Sequence, residues 1–273
     1  VLNLYKSFQI RCNYFIFRTL KTLKAMKEKI NYSVLSYSLL TFLFFSANFI
    51  ANGQISEGIY VDTLENTTSK RIHQVKLHGD YFIYTAYEND PANFIKTVGG
   101  FAKIEKTDDT TLLVVSLEFN SNYEQDSIRQ LSIPVKMVGD KLQLNWFEEL
   151  TLEPKQSKTQ DLDGEWLFAT RGPDTGQERR GEESSRKTLK FLKDGTFQWI
   201  AYDTESFRFS GTGGGSYSSK DGVYTEHIEF FSKDNSRVGA SLNFNYKLNG
   251  NDWQHTGNNS KGEPMHEIWS KRE

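Results

Sequence analysis

The residues best suited to catalysis or metal binding lie in the second half of the chain, where three histidines are spread among carboxylates. These histidines are His227, His255 and His266, and Glu226 and Glu229 flank the first of them. Imidazole and carboxylate together suit a zinc site or an acid–base pair. No two of the histidines have the short spacing typical of metal ligands, so neither a metal site nor a catalytic residue is predicted.

Sequence motifs with a defined chemistry are also missing. The chain contains no G-x-S-x-G, Walker, H-E-x-x-H or EF-hand pattern. The glycine run GTGGG at 211–215 leads into a strand-forming segment, so it lacks the oriented amides of a helix N-terminus that bind phosphate. A bulge or sharp bend in a strand is the favoured interpretation of these glycines. No cofactor is predicted.

Charge and cysteine content exclude further classes of function. Of the 33 basic and 35 acidic residues, seven Lys or Arg and one Glu lie in residues 1–53, which leaves 26 basic and 34 acidic residues from Gln54 onward. A chain this acidic has no basic field for a phosphate backbone, so nucleic acid is not an expected partner. The one cysteine is Cys12, so no disulfide or thiolate site is expected from Gln54 onward.

The first 53 residues have the composition of a targeting segment. From Met26, a short basic start precedes an apolar run from Val34 to Ala51 and small residues before Gln54. This is typical of a secretory signal. We expect residues 26–53 to be a signal peptide, residues 1–25 to be an upstream extension absent from the natural product, and the mature protein to be secreted or periplasmic in a bacterium. No stable membrane insertion is expected after cleavage, and an uncleaved anchor is the alternative.

The elements that position these side chains are predicted to be β-strands, and the same pattern of strands occurs twice along the chain. The segment 207–231 is predicted to form two long strands joined at Asp221-Gly222, a strong hairpin signal. Residues 95–119 repeat its double glycine, turn and hydrophobic strand. In 240–248 every second residue is apolar, which is typical of a strand buried on one side.

We therefore predict an all-β protein of two tandem small antiparallel up-and-down β-barrels with minor helix. The domains are expected at 54–152 and 161–273, joined by a polar linker at 153–160 that contains Pro154. The second copy carries an insertion at 171–185, a Gly-rich charged loop that is either functional or simply solvated.

The sequence Gly164-Glu165-Trp166 at the start of a strand meander resembles the lipocalin and fatty-acid-binding (calycin) superfamily. More closely, the three blocks at 213–231, 241–257 and 266–271 resemble an uncharacterised lipocalin-like family of exported bacterial proteins. The resemblance implies that Gly164 and Trp166 help to close one end of the barrel, and that Arg272 or Lys271 stacks on this Trp. It implies no catalytic residue.

The expected function is binding of a small apolar or aromatic molecule inside the second barrel, with His227 as the polar anchor. The predicted lining residues are Trp199, Tyr202, His227, Phe244, Tyr246 and Trp253. Three alternatives stay open. The aromatic residues alone can fill so small a barrel; the domain can be an interaction module for an envelope protein or a glycan; or it can be an isomerase or hydrolase with its site in the lumen.

Overall fold

A computed structural model describes residues 55–65, 70–259 and 261–272 of the chain. Residues Ile55–Glu273 form one compact unit. The expected upstream extension and signal peptide lie outside the described residues.

The first barrel consists of eight consecutive strands, each antiparallel to the next, with β8 closing onto β1. Its strands are β1 Gly58–Glu65, β2 Lys70–His78, β3 Tyr81–Asn89, β4 Ala92–Lys106, β5 Thr111–Asn120, β6 Gln130–Val138, β7 Lys141–Asn145 and β8 Glu149–Pro154. Its interior is filled almost entirely by aliphatic and aromatic side chains such as Val75, Phe82 and Leu142.

The second barrel repeats this order, with β16 closing onto β9. Its strands are β9 Gly164–Arg171, β10 Arg186–Lys193, β11 Thr196–Asp203, β12 Phe209–Lys220, β13 Val223–Phe231, β14 Ser241–Asn249, β15 Asp252–Asn258 and β16 Pro264–Lys271. Its interior includes four aromatic residues that are nearly or fully buried, namely Trp166, Phe197, Tyr224 and Trp253.

The predicted fold class is confirmed: two tandem antiparallel eight-stranded barrels with very little helix. The helical elements of the described part are a single turn, α1 at Tyr123–Asp126, and a 3-10 turn at Asn235–Arg237. No helix in the described ranges is long and apolar enough to cross a membrane.

The glycine run at 211–215, predicted to bend a strand, forms a β-bulge, and the repeated glycine pair of the first barrel forms a matching one. The register of β4 and β5 shifts between Gly99 and Gly100, and that of β12 and β13 shifts between Gly214 and Gly215. A Cβ atom on Gly215 would collide with the carbonyl of His227, at a φ of +156° that side chains rarely allow. Glycine at this point therefore permits the two strands to curl into a barrel.

The two barrels pack against each other through outward-facing side chains, from β3 and β5 of the first barrel and from β10 and β11 of the second. An apolar cluster joins Tyr81 and Phe119 of the first barrel to Phe191 and Tyr202 of the second. Beside it, the buried Gln198 accepts a hydrogen bond from Thr85 (2.9 Å) and donates one to Thr97 (3.1 Å). The strands at this interface are therefore buried on both faces, one inside the barrel and one between barrels.

The connection between β8 and β9 is anchored on the second barrel. Lys155 donates a hydrogen bond to Thr196 (2.7 Å), and Ser157 donates one to Asp194 (2.9 Å). The side chain of Gln160 accepts a hydrogen bond from the backbone of Ser219 (2.9 Å). These contacts hold the crossing segment along the outer surface of the barrel.

Candidate functional site

The lumen of the second barrel contains a cavity of about 230 Å³ with ionisable side chains at its base. Strand alternation directs these side chains inward: Lys190 from β10, Glu226 from β13, His255 from β15 and Glu267 from β16. The remaining lining residues are Trp199, Ile228, Phe231, Arg237, Ala240, Leu242, Phe244, Asn259 and Met265. The cavity thus has apolar and aromatic walls and a polar floor, which is the usual composition of a small-molecule site.

The first feature of the floor is a buried ion pair. Lys190 Nζ lies 2.8 Å from Glu226 Oε1, and the two side chains are only 7% and 6% exposed. The hydroxyl of Tyr224 also donates to Glu226 Oε1, at 2.9 Å. The Lys190 ammonium lies 5.0 Å from the ring centroids of Tyr224 and Trp253 and 5.1 Å from that of Trp269. Cation–π attraction and the carboxylate thus offset the loss of hydration.

The second feature of the floor is His255, which faces Glu267. Its Nδ1 lies 3.5 Å from Glu267 Oε2, and within the described ranges neither ring nitrogen has a hydrogen-bond partner. Burial and the charge of Lys190 lower the pKa of His255 to about 4. The imidazole is therefore neutral at neutral pH, and its one donor and one acceptor nitrogen are both buried in the floor.

Glu267 is the more accessible carboxylate of the floor, with 26% of its side chain exposed. It accepts a hydrogen bond from the indole N–H of Trp269 at 3.0 Å. Burial on its own would raise the pKa of Glu267, but His255, Lys190 and Trp269 outweigh burial and lower this pKa below its usual value. Glu267 is therefore ionised at neutral pH.

The first barrel provides an internal comparison, because the strand registers of the two copies match. Val75 pairs with Tyr84, and Lys190 pairs with Trp199, so Lys190 takes the place of Val75. Opposite the second glycine of each bulge lie Leu117 in the first barrel and Ile228 in the second. Two residues earlier on the same strands are Val115 and Glu226. The ion pair of the second barrel thus replaces two valines of the first, both fully buried.

The other two floor residues, His255 and Glu267, also replace apolar residues of the first barrel. Across the last hairpin of each barrel, Leu144 pairs with Leu150, and His255 pairs with Glu267. Both leucines are buried in the core of the first barrel. All four ionisable residues of the floor therefore occupy positions where the first barrel has hydrocarbon side chains.

A wider recess adjoins the cavity on the side of β9. It has a volume of about 540 Å³. Its lining includes Glu267 of the floor and Trp269, whose ring packs against Lys190. Arg180, from the inserted loop 171–185, lies 4.4 Å over the ring of Phe168 in this recess. The loop that lengthens the second copy therefore lines a recess next to the cavity.

The structure brings part of the predicted lining set together. Trp199 and Phe244 line the cavity, and Trp253 is completely buried beneath it against Lys190. Tyr246 packs against the same inner cluster and hydrogen-bonds to Asp161 through its hydroxyl.

Two residues of that set lie elsewhere. Tyr202 faces the first barrel and donates a hydrogen bond to Glu118 at 2.8 Å, because its side chain is on the outer face of β11. His227 is exposed on the outer face of β13, with its Nδ1 3.0 Å from Ser241 Oγ. His227 therefore does not anchor a molecule in the lumen.

The residues expected to close one end of the barrel also lie in different places. Trp166 is buried in the core of the second barrel and donates its indole N–H to the Leu162 carbonyl at 2.9 Å. At Gly164, which begins β9, the nearest atom to a Cβ position would be Lys271 Cε, at 3.6 Å. Arg272 instead points to the first barrel and lies over Tyr81 at 4.6 Å. The cation that packs among the lumen tryptophans is Lys190, which was not among the residues predicted from the sequence.

Comparisons with known proteins bear on the second barrel alone. Residues 161–273 match the model of a family described as "Domain of unknown function (DUF4488)". The match begins just before β9 and includes all eight strands of this barrel. The chain has no match among curated proteins and none among solved structures. The site must therefore be interpreted from its own geometry.

Proposed function

We propose that the second barrel binds a small, largely apolar or aromatic molecule in its lumen. The single observation that carries this proposal is the replacement of four buried hydrocarbon positions of the first barrel by Lys190, Glu226, His255 and Glu267 around a cavity. A buried ion pair contributes little stability compared with well-packed hydrocarbon. Selection for stability alone would favour the composition of the first barrel, whereas recognition of a ligand requires polar groups at the base of the cavity.

The cavity size restricts the ligand. Drug-sized ligands occupy pockets of about 300–1,000 Å³, and this lumen offers about 230 Å³. A molecule with a single ring, or an aliphatic molecule of similar size, fits such a space. A larger molecule would extend through the mouth past Ala240 and Asn259.

We propose binding without catalysis. The group that resembles a general base, His255, has a pKa of about 4, which makes it a weak base at neutral pH.

We also propose that the protein acts in the periplasm or outside the cell, on the basis of the basic and apolar segment that begins at Met26.

Native mass spectrometry of the full chain, purified from its own cells, tests binding in the lumen. We expect the wild-type protein to retain a small molecule and the Ala240→Phe variant to lose it, because the added ring fills the mouth of the cavity. Val138→Phe adds the same ring on an exposed strand end of the first barrel and should retain the molecule. An unliganded wild-type protein, or equal retention by all three proteins, would argue against this function.

A further inference from the structure

The floor of the cavity has an excess of negative charge. Lys190 is the one cation of the floor, whereas Glu226 and Glu267 supply two carboxylates and His255 is neutral at neutral pH. Lys190 is 2.8 Å from Glu226, so its ammonium is paired with that carboxylate. The carboxylate of Glu267 therefore has no second cation on the floor to pair with. In a low-dielectric lumen an unbalanced charge attracts an opposite one more strongly than it does in water.

Glu267 is also the carboxylate that a ligand can reach. Its Oε2 atom accepts from Trp269 and faces His255, but within the described ranges its Oε1 atom accepts no hydrogen bond. Glu226, by contrast, is 6% exposed and already accepts from Lys190 and Tyr224. A donor that enters the cavity therefore finds its acceptor at Glu267.

The walls above the floor favour an organic cation over a hydrated metal ion. The rings of Trp199 and Phe231 meet edge to face, with centroids 5.4 Å apart, and Phe244 completes an aromatic wall. Aromatic faces attract ammonium groups and also accommodate a ligand ring. In the described part of the chain, no three His, Cys, Asp or Glu side chains are arranged so that they could hold a metal ion.

Two further cations lie near the mouth of the cavity, and each has a partner of its own. Arg237 lies 3.5 Å from Asp234, which partly balances its charge. Arg180 is half-buried in the adjoining recess, which it shares with the exposed Glu178. The charge of Glu267 raises the pKa of Arg180 against the lowering by burial, but within the described ranges the two side chains form no ion pair, and the guanidinium packs on the ring of Phe168 instead.

We propose that the ligand of the second barrel is a small aromatic compound that carries a protonated amine, with the amine held by Glu267. This inference rests on the proposed function and specifies the chemical class of the ligand. The ring would lie among Trp199, Phe231 and Phe244, and the ammonium would donate to Glu267 Oε1.

Three probes of equal size test the class of ligand. Benzylamine, benzyl alcohol and benzoate carry a cation, a neutral donor and an anion on the same ring, and their affinities for the full chain are measured by calorimetry at neutral pH and constant salt. We expect benzylamine to bind about tenfold more tightly than benzyl alcohol, and benzoate to bind most weakly. The Ala240→Phe variant should reduce the binding of benzylamine and of benzyl alcohol, which places both in the lumen.

Glu267→Gln is the decisive variant because it removes the charge and keeps the shape. We expect it to abolish the preference for benzylamine over benzyl alcohol while the affinity for benzyl alcohol stays within about twofold. Glu105→Gln makes the same charge change on the outer face of the first barrel and should behave as wild type.

The possible outcomes separate the two proposals. Equal binding of the three probes, tightest binding of benzoate, or a benzylamine preference that survives in Glu267→Gln would overturn the amine inference and leave binding in the lumen intact. If none of the three probes binds, both proposals fail.

Discussion

Arg272, at the end of the last strand, lies with Nη1 2.9 Å from Oε2 of Glu118, which belongs to the other barrel. The arginine side chain is 3% exposed, and its guanidinium lies 4.6 Å over the ring of Tyr81. Tyr81 and Tyr202 donate hydrogen bonds to the same carboxylate oxygen, at 2.6 and 2.8 Å. Burial raises the pKa of both tyrosines well above the usual value, so both hydroxyls remain protonated donors. The ion pair and its tyrosines thus join the two barrels.

This arrangement predicts that Arg272→Met destabilises the protein by roughly 1–3 kcal/mol, because the buried carboxylate of Glu118 loses its 2.9 Å partner and keeps only Lys187, whose Nζ lies 3.6 Å from Oε1. Urea denaturation followed by far-UV circular dichroism measures the loss. Lys103→Met provides the comparison, since Lys103 forms a 2.8 Å ion pair with Glu105 at a site where the lysine side chain is 70% exposed. The Lys103 variant should stay within about 0.5 kcal/mol of wild type. Equal losses in the two variants would contradict an interface role for Arg272.

The lumen ion pair predicts a different pattern of stability. Glu226→Val leaves the Lys190 ammonium buried without a carboxylate 2.8 Å away, and we expect it to cost roughly 3–5 kcal/mol. Lys190→Val together with Glu226→Val installs the residues of the first barrel. We expect the double variant to recover this loss and to equal or exceed wild type, by up to about 4 kcal/mol. Chemical denaturation of the single and double variants measures the coupling.

The matched control for the double variant is Lys103→Val with Glu105→Val, which changes the same residue types on an exposed face. It should leave stability almost unchanged. A double lumen variant that is as unstable as Glu226→Val alone would show that the second barrel depends on its ion pair for folding, and this would remove the argument that the pair is retained for a ligand.

The sequence predicted the barrels well because their turns and bulges depend on local chemistry. Asp221 and Gly222 adopt positive φ values of 53° and 80° in the turn between β12 and β13, as their residue types indicate. The glycine run at 211–215 forms a bulge in β12 as expected, and Gly99 and Gly100 form the matching bulge in β4. Trp199 and Phe244 line the cavity, and for Phe244 the alternation with polar neighbours along β14 is the local signal that predicted its inward direction.

The polar floor was harder to predict because β10 is buried on both faces. Phe191, on the outer face, packs between the barrels, and Lys190 and Leu192 belong to the same largely buried strand. With both faces buried, the alternation that identifies an inward residue disappears. The register of the first copy contained the missing signal, since Val75 aligns with Lys190, but sequence similarity alone does not show that this position points inward.

The bulge also changes which residues face the lumen. At β13 the register shift leaves Phe231 against the inner cluster, while Phe230 packs on Tyr87 of the first barrel, with ring centroids 4.6 Å apart. Simple alternation along the strand cannot predict this exchange of faces. Tyr202 was assigned to the lumen for a related reason, because the packing of one barrel on the other makes an outward aromatic residue look like a core residue.

The bulge glycines are predicted to be irreplaceable, in contrast to glycines of the hairpin turns. Gly215→Ala should cost at least about 1–3 kcal/mol, because the new Cβ meets the His227 carbonyl at a φ of +156°. Gly250 has a φ of +60° and no atom within 4 Å of a Cβ position. Asparagine tolerates that conformation, so Gly250→Asn should change stability by less than about 1 kcal/mol. Thermal denaturation compares the two, and similar losses would contradict the role assigned to the bulge.

The low pKa of His255 predicts a pH dependence of stability. In the unfolded chain this imidazole takes up a proton near its usual pKa of 6.5, whereas in the folded protein it stays neutral until about pH 4. Between these values the unfolded state binds more protons, so lowering the pH destabilises the folded state. The contribution amounts to about 3 kcal/mol over the window from pH 6.5 to pH 4. Denaturation at a series of pH values measures it.

Two variants isolate this contribution from that of other titrating groups. His255→Leu introduces the residue type found at the equivalent position of the first barrel, Leu144, and should lose about 3 kcal/mol of the pH dependence between pH 6.5 and pH 4. His227→Gln removes an exposed histidine of the same barrel and should keep the wild-type dependence. Glu267 also has a lowered pKa, so its contribution to stability is lost as the pH falls through that value. This contribution persists in His227→Gln, whereas His255→Leu reduces it because His255 is one of the groups that lower the pKa of Glu267. If His255→Leu keeps the full wild-type slope, His255 is not held neutral in the lumen, and the charge balance assigned to the floor is wrong.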